Sequence, residues 1–412
     1  MNGTYQVNQN WKQLARRIVG GKPCKSELTS QQVVLVIGST DVGKSTFCRF
    51  LIDFAVAEGF RVAFVDADIG QSQIGPPTTI GVKFFEPMSR VETSPTEGAT
   101  NSGLETPPTE VEFDGIADKL YFVGAVSPAR SQLQVLTGTR LMVDVSRDAQ
   151  ADFIVVDTTG YIHDKAAVVL KQHKIELLRP NHLVCIGRST ELEQITACYS
   201  QQEWLQLHYL LPHRNVRSKS SEARRRYREA QFDVYFGFRD YKPLPRPKLE
   251  LQESERTVQQ VPFEQIRGGR TPFFIGRIAN KKELEILTRL AKAEIHYAEW
   301  GHRTLSLITS KPLSNISSTH LKNYLSLMQV TTEVRSFFER RLVGLMDTTG
   351  DTFALGIIDA VDFKKLELSI RCPLSMVGDV AKRACALQFG DYQFFDMPCE
   401  EFRKQARANK PR

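Results

Sequence analysis

The 412 residues are 41% apolar and 25% charged, ordinary for a globular chain and enough for more than one hydrophobic core. No apolar run approaches the roughly 20 residues of a membrane helix, and Met1–Asn10 is polar, so a cytoplasmic chain with no membrane partner is expected. The seven cysteines form no C-x-x-C pair, which argues against a zinc site or a disulfide framework, and the net charge of +7 bears on partners only where it is concentrated.

In chain order, Trp11–Gly20 has the spacing of a short amphipathic helix, broken by Gly20, Gly21 and Pro23. A fully apolar strand, Val33–Ile37, follows. It leads directly into Gly38, Ser39, Thr40, Asp41, Val42, Gly43, Lys44 and Ser45, which fit G-x-x-x-x-G-K-[ST], with Thr46 next and a helix predicted over Lys44–Glu58. In this arrangement backbone N–H groups and the helix N-terminus close around phosphates, Lys44 reaches the β and γ groups, and Ser45 ligates Mg²⁺. A nucleoside triphosphate is therefore expected between Gly38 and Thr46.

A second strand, Arg61–Asp66, ends in Asp66-Ala67-Asp68-Ile69-Gly70-Gln71. Phosphoryl transfer needs a group that positions or deprotonates the attacking oxygen. Asp68 is the candidate base, with Gln71 orienting the nucleophile; Asp66 equally suits capping of the following turn. Residues 87–114 are rich in Ser, Thr, Glu, Gly and Pro and are expected to form a mobile insertion.

A strand near Leu120–Val123, a helix over Gln132–Asp148 and a strand over Phe153–Asp157 come next. Asp157-Thr158-Thr159-Gly160 closes that strand in the way that P-loop proteins hold Mg²⁺ or its water shell. Tyr161 stands beside it, suited either to stacking on a base or to packing at the rim. A helix over Asp164–Leu178 and a strand over His182–Ile186 complete an alternation that implies a mostly parallel sheet flanked by helices.

The densest basic stretch, 214–228, contains Arg214, Arg217, Lys219, Arg224, Arg225, Arg226 and Arg228. Its cations suit either a phosphate backbone or a lid over the nucleotide, and Arg224 and Arg228 share a helical face. Three prolines then open a linker, 241–262. Beyond it a helix over Glu283–Ala293 and paired β-like segments, 294–297 with 304–308 and 342–346 with 352–358, point to a smaller β-rich domain. The second Asp-Thr-Thr-Gly, at 347–350, lies between two such segments and is expected to be a plain hairpin turn. The expected organisation is thus a helical segment (1–30), a P-loop domain (31–240), a linker (241–262) and a C-terminal domain (263–412), an α/β P-loop NTPase fold with a β-rich appendage.

These residues resemble the polynucleotide 5′-hydroxyl kinases, a family that includes the kinase subunit of the eukaryotic pre-mRNA cleavage factor and the pre-rRNA-processing kinase. The resemblance is strongest to the shorter prokaryotic members. It rests on Thr40-Asp-Val-Gly-Lys-Ser-Thr46, Asp66-Ala-Asp-Ile-Gly-Gln71, Phe122-Val-Gly-Ala-Val-Ser-Pro128, Asp157-Thr-Thr-Gly160 and the arginine run ending at Arg228. It implies Asp68 as general base, Ser127 with Pro128 as a clasp on the triphosphate, Tyr161 as the base-stacking aromatic, and Arg224 as a lid arginine. The chain departs from the family at Ala129, where the clasp has glycine, and at Tyr161, where eukaryotic members carry tryptophan. The large N-terminal β domain of the eukaryotic members is expected to be missing. The implied reaction is transfer of the ATP γ-phosphoryl group to the 5′-hydroxyl end of RNA or DNA, with Mg²⁺ on Ser45 and Asp157. The competing reading is a P-loop GTPase or ATPase switch acting through partners. Its base-reading motif has one approximate match, Asn280-Lys281-Lys282-Glu283, taken as a helix start. The sequence names no protein partner.

Overall fold

The computed structural model describes residues 9–20, 31–87, 117–212, 216–237, 258–376 and 378–394. Nearly all of the expected insertion, the start of the basic stretch with Arg214, and linker residues 241–257 lie outside the described residues. The chain forms two compact units, 1–231 and 232–412.

The first unit alternates helix and strand: α1 (Gln9–Gly20), β1 (Gln32–Gly38), α2 (Lys44–Ala57), β2 (Val62–Ala67), β3 (Thr79–Phe85), β4 (Lys119–Phe122), α3 (Gln132–Asp148), β5 (Phe153–Thr158), α4 (Lys165–Leu178), β6 (His182–Ile186), α5 (Ser189–Thr196), β7 (Gln206–Leu210) and α6 (Ser221–Tyr235), whose last turn belongs to the second unit. Its strands lie in the order β7-β6-β1-β5-β2-β3-β4. The first five run parallel, while β3 and β4 add antiparallel pairs. Strands β1, β2, β5 and β6 are buried along their whole length, as expected for a sheet covered on both faces. Apolar clusters fill both faces. On one of them Trp11 of α1 packs edge-on against Phe47 of α2 at 5.4 Å, which docks the N-terminal helix on the sheet's cover. Strands β3 and β7 were not predicted. The first follows a Gly-Pro-Pro turn and precedes the polar stretch, and the second is an edge strand with an irregular exposed and buried pattern.

In the second unit, residues 258–262, expected in the linker, instead form a strand, β8 (Val258–Pro262), which pairs with β9 (Glu367–Arg371). Val261 and Leu368 of that pair are fully buried, so this stretch contributes to a core. A helix, α7 (Lys281–Ala291), begins at Asn280, whose side chain accepts from the Glu283 N–H while the Glu283 carboxylate accepts from the Asn280 N–H. That reciprocal capping box accounts for Asn280-Lys281-Lys282-Glu283 as a helix start. The expected hairpins are present: 295–301 pairs antiparallel with 304–309, and 341–346 with 352–362. Asp347-Thr348-Thr349-Gly350 turns the second hairpin, with Gly350 N–H donating to the Asp347 carbonyl at 3.0 Å.

Candidate active site

Three parallel strands deliver the candidate groups at their carboxyl ends, the edge where open α/β sheets bind ligands. β1 runs into the phosphate loop, β2 into Asp66 and Asp68, and β5, lying between them, into Asp157. Register places Asp66 directly opposite Asp157 on neighbouring strands.

The loop closes as its sequence requires. Gly43 caps α2 in the left-handed region (φ 97°), and Phe47 N–H returns to its carbonyl. Asp41 is also left-handed (φ 57°), a conformation that a short carboxylate tolerates. Lys44 is buried and donates from Nζ to the Ser39 carbonyl at 2.8 Å. Ser45 Oγ donates to Asp157 Oδ2 at 2.5 Å. Behind the loop, Gly160 presses on Thr40: a Cβ there would lie 2.4 Å from Oγ1 and 2.5 Å from the backbone nitrogen. The segment after β5 is therefore the floor of the phosphate loop.

The acidic pair divides its labour. Asp66 is fully buried and serves as an anchor. Its Oδ1 accepts from Asp68 N–H at 3.0 Å, and its Oδ2 from Ser72 Oγ at 3.0 Å and Gln73 N–H at 2.5 Å, so one carboxylate organises residues 68–73. Burial, then the neighbouring Asp157 charge, push its carboxyl up to about 7. Asp68 is half-buried; its Oδ1 accepts from Gly70 and Gln71 N–H, and its Oδ2 takes no hydrogen bond from the described residues. Asp157 is fully buried, and burial raises its carboxyl while the Lys44 ammonium opposes the rise.

Ser45 and Asp157 are hard oxygen donors of the kind Mg²⁺ takes, usually with one or two carboxylates plus water and substrate phosphate. Among the described residues no group of three or more His, Cys, Asp or Glu side chains forms a dedicated metal cage. The donor set therefore fits Mg²⁺ held jointly with a nucleotide.

The basic helix α6 presents two faces. Arg225 pairs with Glu229 and Arg226 with Glu222 along the exposed side. Arg224 turns inward, its Nη2 2.7 Å from Asp41 Oδ2, an oxygen that also accepts from Lys219 N–H at 2.9 Å. Partial burial works against ionisation of Asp41, but the Lys219 N–H and the Arg224 guanidinium together hold it below its ordinary range. Arg228 shares the inward face; its Nε is buried with no partner among the described residues. Gln71 Oε1 lies 3.5 Å from Lys219 Nζ, and Tyr227 and Gln231 both donate to the Ser72 carbonyl, so α6 rests on the Asp68 loop as well as on the phosphate loop.

Val126, the residue before Ser127 and Pro128, approaches the Asp68 loop: a Cβ on Gly70 would lie 2.9 Å from the Val126 carbonyl. Ser127 is exposed and its Oγ accepts from Ala129 N–H at 3.4 Å. Tyr161 donates to Asp164, the N-cap of α4, at 2.8 Å. Its ring packs partly on the core.

Sequence reading missed Lys171 and Lys174. Both are buried on α4, in a stripe with Ala167, Leu170, Ile175 and Leu178. Lys171 Nζ donates to Thr158 Oγ1 at 2.8 Å and to the Thr159 carbonyl at 2.7 Å, whereas Lys174 Nζ has no hydrogen-bond partner among the described residues. Burial lowers both ammonium groups, Lys174 to about 7. The signal was present in the sequence: lysines at two positions of an otherwise apolar helical stripe.

Residues 38–237 match the family model described as the mRNA cleavage and polyadenylation factor CLP1 P-loop. The chain is 28% identical to a polyribonucleotide 5′-hydroxyl-kinase of Methanocaldococcus jannaschii over 342 residues, 83% of this chain and 82% of that protein. It is 26% identical to one of Pyrococcus furiosus, covering 92% of this chain and 91% of that protein. A shorter match, 34% over 132 residues, joins it to polyribonucleotide 5′-hydroxyl-kinase Clp1 of Gallus gallus, covering 31% of this chain and 28% of that protein. The solved structure of Clp1p in complex with Pcf11p superposes with a TM-score of 0.54 at 14% identity, covering 95% of this chain and 81% of that one, and so shares the fold. With the phosphate loop, the paired strand-end carboxylates and these matches together, the chain is similar to the polyribonucleotide 5′-hydroxyl-kinases, and its residues 38–237 to the CLP1 P-loop.

Proposed function

We propose that this protein is an ATP-dependent polynucleotide 5′-hydroxyl kinase, transferring the γ-phosphoryl group of ATP to the 5′-hydroxyl end of RNA or DNA. The relatives named polyribonucleotide 5′-hydroxyl-kinases favour RNA. The observation that carries the reading is Asp68: a half-buried carboxylate fixed through one oxygen by two backbone N–H groups, on a loop that a second, buried carboxylate holds rigid.

In this reading the triphosphate lies along Gly38–Thr46, and its oxygens replace the Ser39 carbonyl as the partner of Lys44 Nζ. Ser45 and Asp157 would hold Mg²⁺, which would supply charge neutralisation at the β- and γ-phosphates. Asp68 Oδ2 accepts the proton of the attacking 5′-hydroxyl, and Gln71 orients that hydroxyl. Arg224 and Arg228 offset charge on the transferring group from above. Ser127 and Pro128 border the phosphates, and Tyr161 offers its ring to the terminal base. The basic face of α6 continues as a track for the polynucleotide backbone.

The test compares acceptors. An oligonucleotide with a 5′-hydroxyl should gain labelled phosphate from γ-labelled ATP, and the same oligonucleotide already bearing a 5′-phosphate should not. Equal labelling of both would place the acceptor elsewhere and sink the reading.

A further inference from the structure

The Mg²⁺-side geometry depends on a group that none of the expected roles uses. Thr158, the residue after Asp157, is fully buried, and its Oγ1 both accepts from Lys171 Nζ and donates to the Val36 carbonyl at 2.8 Å, two residues before Gly38. Lys171 Nζ also donates to the Thr159 carbonyl, immediately before Gly160. One side-chain nitrogen on α4 is thus connected to the ends of both β5, which carries Asp157, and β1, which leads into the phosphate loop.

A helix needing only to pack would carry leucine or isoleucine at this position, as it does at Leu170, Ile175 and Leu178. Burying an ammonium without a contacting carboxylate is costly. Its two acceptors are neutral oxygens of the segment that floors the phosphate loop, so what the buried donor fixes is the position of that segment.

We propose that Lys171 is a positioning residue for the Mg²⁺-nucleotide site: by holding Thr158 and Thr159, it sets Asp157 against Ser45 and Gly160 against Thr40. The proposal rests on the reading of Ser45 and Asp157 as the oxygens that take Mg²⁺.

The measurement is binding of fluorescent ADP titrated with Mg²⁺, on the full chain, with thermal melting run in parallel. Native protein should bind ADP more tightly as Mg²⁺ rises. Lys171→Met should raise the half-saturating Mg²⁺ concentration about tenfold or more, weaken ADP binding in EDTA by clearly less, and recover binding at high Mg²⁺. Thr158→Val, which removes one acceptor and keeps the lysine, should move the midpoint in the same direction by less, and it carries the test if Lys171→Met does not fold. A Mg²⁺ midpoint equal to native in the folded variants, with only the melting temperature lowered, would overturn the proposal, as would native ADP binding that ignores Mg²⁺. Native protein that binds Mg²⁺-ADP yet labels no oligonucleotide would count against the kinase reading alone.

Discussion

Ser45 on α2 and Asp157 at the end of β5 share a hydrogen bond of 2.5 Å although 112 residues separate them. This contact joins the phosphate loop to the strand end that lies opposite Asp66.

Asp157→Asn keeps the shape of that contact but removes the charge. It should lower kcat by about 10²-fold or more and strip Mg²⁺ dependence from nucleotide binding, because the remaining oxygen is a poorer partner for a hard cation. Calorimetric titration of ADP with and without Mg²⁺ checks this. An unchanged Mg²⁺ effect would remove Asp157 from the metal site.

The Arg224 to Asp41 pair docks α6 on the phosphate loop. Arg224→Ala should reduce kcat by roughly 10²–10³-fold if the guanidinium serves the transferring phosphoryl group. Asp41→Asn, which keeps the arginine, should cost less than about tenfold, since a part-exposed ion pair contributes little by itself. Single-turnover transfer rates for the two variants decide between a catalytic lid and a merely structural tether; equal losses would favour the tether.

Gly160→Ala puts a methyl group against the backbone of Thr40. Because the neighbour is main chain and the loop cannot retreat without losing its phosphate geometry, the change should destabilise the fold by about 1–3 kcal/mol. It should weaken ADP binding more than any substitution on the exposed side of α6. Urea denaturation and ADP titration give the two numbers, and native-like affinity would show that the floor of the loop yields.

His182 and His208 lie side by side on β6 and β7, Nδ1 to Nε2 at 3.1 Å, both buried. Burial, and then one charged neighbour for each ring (His208 for His182, Arg17 for His208), pushes both imidazoles down to about 4. The fold therefore holds them neutral, and the unfolded chain, titrating near 6.5, binds protons that the fold refuses. Stability is fully present above about pH 6.5 and is lost as pH falls toward about 4, by on the order of 3 kcal/mol for each imidazole. Melting curves across that window should be steeper for native protein than for His182→Asn with His208→Asn; parallel curves would mean that the pair does not titrate in this range.

How much of this was legible in the sequence follows from the type of signal. The phosphate loop, Asp68 and Asp157 were readable because each lies where an apolar strand ends and so falls at one edge of a parallel sheet. Asp66 left two readings open, since a buried anchor and a catalytic carboxylate look alike in a string of letters; three hydrogen bonds into residues 68–73 settle its present partners. The docking of Arg224 on Asp41, 183 residues apart, depends on tertiary placement that no local pattern encodes. Lys171 was hidden for the opposite reason: lysine on a helix is ordinarily solvated, and only its place in an apolar stripe marked it. Strand 258–262 was lost to a composition that reads as linker, because its pairing partner lies more than a hundred residues further on.

In the proposed reaction this centre delivers phosphate to a 5′-hydroxyl, with Asp68 taking the proton. The most direct measurement follows γ-labelled ATP with a 5′-hydroxyl RNA oligonucleotide, scoring labelled RNA and free phosphate in the same reaction for native protein, Lys44→Ala and Asp68→Asn. Native protein should yield labelled RNA, Lys44→Ala none, and Asp68→Asn about 10²–10⁴-fold less with ADP affinity intact. Free phosphate accumulating without labelled RNA, unaffected by Asp68→Asn, would contradict the proposed reaction and leave a nucleotide-hydrolysing switch in its place.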